Sequence, residues 1–462
     1  MRADPMTRHY WLLPAMSLLA VLLATPVQAA LDIENWTSDD GLDVYLVQSR
    51  TLPMVDLQLT FDAGSARDGE HPGLASLTSN LLSEGAAGLD ADELARRFED
   101  VGARFSTGSG RDSASVSLRS LNDPETLSPA VEALTLAVSE PSFPEASVER
   151  ERRRMLLSLR NSRRNPGSVA REAFWEALYG DHPYARNPGG TEESLEAIGR
   201  TELDAFFEQY YVLENATLAI VGDVSRAEAE AIADHLGGSL RRGDAPEPMP
   251  QPEPTERAGE TIHIPFATAQ SHVMMGQIGY ARSDEDHFAL YVGNHLLGGS
   301  GLSSRLVDEM REERGLSYSV GSLFQPMTQP GPFLVSTQIR SDRTEEALSV
   351  LRETLTSLRE DGPSEEERDR SVRNITGGFP LQFDSNRSML AYVGVIGFHG
   401  LPLDYLDAFP ARVEAVGVDD IRDALQRRLA PDKFVTVIVG PKDEEGEEPE
   451  ELERPEEPKD TD

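Results

Sequence analysis

The sequence contains no cysteine. That absence excludes disulfides, thiolate catalysis and every zinc site built on sulfur. Basic residues are scarce beside acids, 43 Lys and Arg against 80 Asp and Glu, for a formal net charge of -37. A surface of that sign repels polyanions, which argues against nucleic acid and anionic lipid surfaces as partners. An acidic proteome accounts for the charge equally well, so the charge carries no catalytic meaning. Histidines are few and scattered: the nine lie at 9, 71, 182, 235, 263, 272, 287, 295 and 399. No two are spaced to share one helical face, the arrangement by which a helix offers a pair of imidazoles to a metal ion. His71 alone, beside a loop, reads as a surface residue. Beyond the first thirty residues no apolar run is long enough to cross a bilayer.

What is present begins with an export signal. Arg2 and Arg8 precede an apolar run from Trp11 to Ala24, and Val27-Gln28-Ala29 places small residues for cleavage, so residues 1–29 are expected to be removed. The alternative is an uncleaved membrane anchor. No cysteine follows the run, so no lipid anchor is expected, and the mature chain is expected to be soluble in the periplasm, with no membrane contact after cleavage. At the other end, residues 442–462 are too charged and too poor in apolar groups to bury anything, and read as a disordered acidic tail.

A length of 462 residues exceeds one compact domain and predicts two. A proline-rich stretch at 242–261 divides the chain, with prolines at alternate positions favouring an extended connector. The expected domains are 30–241 and 262–441. They look related: Ala197 to Gly222 and Ala415 to Gly440 each read as an amphipathic helix, a turn and a buried strand closed by glycine, and one offset superimposes both ends. Strands are predicted at 42–48, 54–61, 114–118, 272–278 and 333–339. Helices are predicted at 72–83, 90–101, 144–164, 169–179, 287–297, 303–314, 344–360 and 365–376. The fold class is α+β: two homologous domains, each a mixed, mostly antiparallel sheet covered by helices, here expected on one side.

Several segments resemble the insulinase, pitrilysin and mitochondrial processing peptidase family across nearly the whole mature chain. They are Ala63-Gly-Ser-Ala-Arg67, Gly73-Leu-Ala75 leading to Glu84-Gly85, His182-Pro-Tyr184 with Gly189, and Asn215 to Asp223. In the second half they are Gly298-Gly-Ser-Gly-Leu-Ser-Ser-Arg-Leu306 and Arg311-Glu-Glu-Arg-Gly-Leu-Ser-Tyr318. The resemblance implies a clamshell half of a zinc metallopeptidase. Active members carry H-x-x-E-H on the helix opened by Gly-Leu-Ala, two imidazoles for Zn²⁺ and a glutamate as general base. Here Ser76, Ser79 and Asn80 occupy those three positions, and the third ligand position aligns near Ser158. No metal is therefore expected in this chain.

The resemblance assigns Arg311 and Tyr318 to the family's arginine and tyrosine that reach substrate and oxyanion. Without it, the residues alone would read as a solvated helix arginine and a core tyrosine. The family's substrate strand aligns with Phe105, Ser106, Thr107 and Gly108. Some family members divide the work between two chains, so the resemblance implies a non-zinc, substrate-binding subunit of a heterodimeric endopeptidase acting on peptides or unfolded segments. Its partner is a zinc-bearing homologue, which supplies the cofactor. The alternative is a non-enzymatic scaffold or peptide-binding protein of the same fold. Gly298–Gly301 is read as a tight turn rather than a phosphate cradle, because no strand-loop-lysine arrangement accompanies it.

Overall fold

Apolar residues alternate with serine from Ala114 to Leu118, which gives the strand Ala114–Leu121 one buried face. It belongs to the first of two large sheets in the computed structural model, which describes residues 31–441. The expected export signal at 1–29 and the acidic tail at 442–462 lie outside the described residues. Strands of the first half are β1 (Ile33–Thr37), β2 (Asp43–Gln48), β3 (Met54–Phe61), the short pair β4 (Gly85–Ala86) and β5 (Leu89–Asp90), β6 (Arg104–Ser109), β7 (Ala114–Leu121) and β8 (Ala216–Gly222). The second half has β9 (Thr261–Pro265), β10 (Gln270–Ile278), β11 (Ser317–Phe324), β12 (Pro332–Arg340) and β13 (Val435–Gly440).

The first sheet runs β1-β2-β8-β3-β7-β6 and the second β11-β12-β10-β13-β9. Within them only β2 with β8 and β9 with β13 pair in parallel. Read from opposite ends, β2-β8-β3-β7-β6 and β9-β13-β10-β12-β11 are the same arrangement, with β1 added to the first. The two copies detected in the sequence are the helix-strand units that insert a central strand into each sheet.

Helices of the first half are α1 (Leu74–Leu81), α2 (Ala91–Glu99), α3 (Pro124–Ser139), α4 (Glu145–Ser162), α5 (Pro166–Tyr179), α6 (Glu192–Ala197), α7 (Arg200–Tyr210) and α8 (Arg226–Ser239). The second half has α9 (His287–Asn294), α10 (Arg305–Val307), α11 (Thr344–Asp361), α12 (Glu365–Gly378), α13 (Asn386–His399), α14 (Tyr405–Ala415) and α15 (Val418–Arg428). Side chains of α1–α4, α7 and α8 join Val55, Leu57, Leu59 and Phe61 of β3 in one core.

The opposite face is covered as well, which corrects the expectation of helices on one side. Leu390, Val393 and Ile396 of α13, from the second half, share a core with Tyr45, Val47, Ala219 and Val221 of the first sheet. Reciprocally, Phe174, Trp175 and Leu178 of α5 share a core with Met274, Val435, Val437 and Val439 of the second sheet. Each half lends the other a helix.

Two further contacts fix the halves. The segment 241–260 lacks regular structure but is pinned along its length: Arg67 Nη1 donates to Glu247 O at 2.8 Å, Gln329 Nε2 to Met249 O at 2.9 Å and Thr255 Oγ1 to Ala177 O at 2.7 Å. The Tyr184 hydroxyl donates to Asp112 and accepts from Gln329 N at 3.1 Å, while Asp112 accepts from Thr328 N at 2.8 Å. The loop joining β11 to β12 is thereby latched to the first half.

Two predicted helices differ in detail. The 287–297 helix is α-helical to Asn294 and then widens into a π-helical turn, His295–Gly299. The 303–314 helix is α-helical only over Arg305–Val307 and continues as a π-helical turn, Asp308–Glu313. Leu306 and Val307 of the α-helical turn and Met310 of the π-helical turn are buried, while Arg311 is half-buried.

Candidate functional site

Helix α1 is anchored near both ends. The Asp68 carboxylate accepts from Gly73 N and Ala75 N, both at 2.7 Å, at its first turn. Burial pushes the Asp68 carboxyl up to about 7, while those N–H groups and Arg186 pull it back. Ser194 Oγ donates to Pro72 O at 2.6 Å just ahead of the helix, and Arg150 of α4 pairs with Glu84 just beyond its end.

Ser76, Ser79 and Asn80, singled out in the sequence, lie on this helix. Leu77, Thr78, Ser79 and Leu81 are buried, whereas Ser76 and Asn80, one turn apart, remain partly open. Ser76 Oγ donates to Pro188 O at 2.7 Å, so its hydroxyl is already spent on the 186–190 loop. Ser79 is buried against the Tyr211 hydroxyl, too loosely for a formed hydrogen bond. Ser158 sits on the solvent side of α4, where Glu151, Met155 and Leu159 turn inward. His71 is half-buried in the turn before α1. Three hydroxyls and an amide do not fit Zn²⁺, whose ligands are thiolate, imidazole and carboxylate. Among the described residues no group of three His, Cys, Asp or Glu side chains is placed to hold a metal ion.

Glu151 escaped the sequence reading. It is a buried carboxylate whose side chain pairs with Arg154 at 2.5 Å. The signal available was its position seven residues before Ser158, two turns back on the same helix.

Arg311 and Tyr318 come together. The guanidinium carbon lies 5.2 Å from the tyrosine ring centroid, within cation–π range. Tyr318 is 81% exposed, so it is not the core tyrosine that the residue type alone would suggest. The cause is a β-bulge. Ser317 pairs with Ile339 and Ser319 with Gln338, which leaves Tyr318 without a partner and turns it out of the sheet. Ser317 Oγ and Thr337 Oγ1 lie 2.7 Å apart, and Thr337 Oγ1 donates to Ser319 O at 3.0 Å, fixing the bulge. Arg311 is half-buried, with Glu312 at 3.4 Å as its ion-pair partner.

Phe105, Ser106, Thr107 and Gly108 lie on β6, the outer strand of the first sheet. Phe105 stacks on Phe98 with ring centroids 4.8 Å apart. Ser106 borders a groove of about 670 Å³, floored by Gln58, Ser117 and the Asp56–Arg119 ion pair and walled by α13. A second groove of about 530 Å³ has the same construction: β11 at its edge, Ser336 and Gln338 on its floor, and α5 as its wall. Applying the internal repeat to β6 would have found it. The structure thus brings together Arg311 with Tyr318, and Ser76 with Asn80, on two separate halves.

A family model described as insulinase (peptidase family M16) matches residues 43–192, and one described as peptidase M16 inactive domain matches residues 197–375. An uncharacterized zinc protease of Mycobacterium leprae is 28% identical over 371 residues, covering 80% of this chain and 82% of its own. The crystal structure of a peptidase M16 inactive domain from Pseudomonas fluorescens is 37% identical with a TM-score of 0.86, covering 89% of this chain and 98% of its own. That of a Helicobacter pylori protease is 19% identical with a TM-score of 0.79, covering 89% of this chain and 100% of its own, a likeness of fold.

Proposed function

This chain belongs to the insulinase-like peptidase family M16, and from that membership we propose that it is the non-zinc, substrate-binding subunit of a heterodimeric zinc endopeptidase. Its substrates are peptides or unfolded segments in the periplasm. The observation that carries the reading is Tyr318, thrown into the open by a bulge and paired with Arg311. An exposed tyrosine held this way has no packing role. The α1 face, by contrast, keeps its scaffolding and offers Ser76 and Asn80 where a metal would need imidazoles.

In this reading the partner would hold the zinc, which would supply the activation of the attacking water. The present chain contributes a phenol hydroxyl and a guanidinium aimed at the oxyanion of the tetrahedral intermediate. Such donors strengthen as charge develops and are worth about 3–4 kcal/mol of barrier each when preorganised. The grooves beneath β6 and β11 suit an extended chain, since an outer strand offers its backbone to any sequence. Export rests on the signal at 1–29; among the described residues no helix is long and apolar enough to cross a membrane.

The test is cleavage of an unstructured peptide by this chain alone, by a zinc-bearing homologue from the same cell alone, and by both mixed. Activity is expected only in the mixture, falling by about 100-fold or more with Tyr318→Phe or Arg311→Ala. Unchanged activity after both substitutions favours the scaffold reading. Chelator-sensitive cleavage by the chain alone would overturn the assignment of zinc to a partner.

A further inference from the structure

The second half encloses a cavity of about 260 Å³, bounded by α9, the end of β11, the 379–383 turn, α13 and α14. Tyr280, Tyr291, Phe324, Phe379, Tyr392 and Tyr405 give it an aromatic wall. Ligand sites run from about 300 Å³ upward, so this one suits a single residue-sized group rather than a nucleotide or larger cofactor.

Arg282 also lines it. Its Nε is closed off from solvent and donates to nothing among the described residues. Of the acids nearest in sequence, Asp284 and Asp286 are engaged elsewhere: Arg428 binds Asp284 and Asp286, both at 2.7 Å, and Arg427 binds Asp286 at 2.6 Å, while Glu285 is exposed and forms no ion pair with Arg282. His287 is occupied on both ring nitrogens, by the Tyr280 hydroxyl at 3.1 Å and the Tyr405 hydroxyl at 3.0 Å. Arg412, 5.4 Å from the Phe288 ring, adds a second positive charge nearby. In a chain of strongly negative charge, the cavity therefore holds an unpaired guanidinium within an aromatic wall. A buried donor left without an acceptor costs about 1–3 kcal/mol, which a ligand carboxylate recovers.

We propose that this cavity binds a carboxylate carried on one aromatic or branched apolar group, with Arg282 taking the carboxylate and the aromatic wall the apolar group. Two sources share that chemistry, the C-terminal residue of a peptide and a free aromatic acid. Leu323 borders both this cavity and the groove beneath β11, so the two adjoin at that residue, the placement a peptide's C-terminal end would use. The site stands whether the chain serves a peptidase or a scaffold.

Calorimetric titration of the mature chain tests it with four probes: N-acetyl-phenylalanine, its carboxamide, 3-phenylpropionate and N-acetyl-Ala-Ala-Phe. Saturable binding of the carboxylates is expected, weaker by roughly tenfold or more for the carboxamide. Arg282→Gln should produce the same loss, and Gln382→Trp at the exposed rim should weaken every probe. Tighter binding of the tripeptide assigns the peptide source; equal affinity for 3-phenylpropionate assigns the free acid. No saturable binding, or equal affinity for acid and carboxamide on the unmodified chain, overturns the proposal without recourse to any variant.

Discussion

His287 shows how one buried group ties stability to pH. Burial holds its imidazolium down to about 4, with Arg282 and Arg412 adding repulsion. Between about 4 and the unperturbed value near 6.5 the unfolded chain binds this proton and the folded chain does not. Stability from this residue is therefore lost as pH falls through that window. His287→Gln can keep hydrogen bonds to Tyr280 and Tyr405 while removing the titration. The wild type should gain about 3 kcal/mol relative to this variant between pH 4 and 6.5, measured by urea unfolding at each pH. A constant difference across the window would show that His287 is charged in the folded protein. Asp68 works in the opposite direction, since its carboxyl is raised, so the pH profile of the unmodified chain understates both groups.

At this scale the sequence revealed spacing but not orientation. The spacing that puts Tyr318 seven positions after Arg311 was legible. The bulge that turns Tyr318 outward depends on Ser317 meeting Thr337 across the sheet, twenty residues away, and no local pattern encodes that pairing. Likewise Arg282 carries no motif. Its unpaired state emerges only when Asp284 and Asp286 are seen bound to arginines of the last helix.

Among elements, Gly298 explains why the glycine-rich segment is neither a phosphate loop nor only a turn. It lies in the π-helical end of the 287–299 helix and packs against β11. A Cβ there would meet Ser322 N at 2.5 Å, Ser322 Oγ at 2.6 Å and Leu306 Cδ1 at 2.9 Å. Backbone cannot yield as a flexible side chain can, so Gly298→Ala should cost about 1–3 kcal/mol in urea unfolding. Gly377 in α12 has nothing within 4 Å of its missing Cβ. Gly377→Ala should therefore stabilise by up to about 1 kcal/mol. Equal effects at the two sites would remove close approach as the explanation.

Strands with clear alternation or dense Val and Leu were legible; β3 begins and ends where its pattern does. Helix α13 was not read at all. Its two glycines lower helix propensity, yet a Cβ at Gly394 would meet Gln58 Nε2 at 2.8 Å and one at Gly397 would meet Thr217 Cγ2 at 2.7 Å. Those glycines exist to let the helix lie close on the other half's sheet, a reason that local sequence cannot state.

For the whole molecule, the reciprocal loan of α5 and α13 decides how the chain can be divided. The proline-rich segment suggests a place to cut, and sequence alone implies two self-sufficient domains. The cores say otherwise. Without the second half, residues 30–241 would expose Phe174, Trp175 and Leu178 of α5 together with Tyr45, Val47, Ala219 and Val221 on the uncovered sheet face. Each large apolar side chain moved into water costs about 1.5–3 kcal/mol, so a handful matches the entire stability of an ordinary domain. Residues 30–241 made alone should aggregate or form a compact state without cooperative unfolding. Made together with residues 242–441, they should co-purify as one particle with native circular dichroism and a single unfolding transition, since the swapped helices and the Tyr184–Asp112 latch survive the cut. A monomeric 30–241 fragment that unfolds cooperatively would show that the borrowed helix is dispensable. Recovery of peptide cleavage on adding the zinc-bearing homologue to the reassembled halves, but to neither half alone, would extend the same dependence from folding to function.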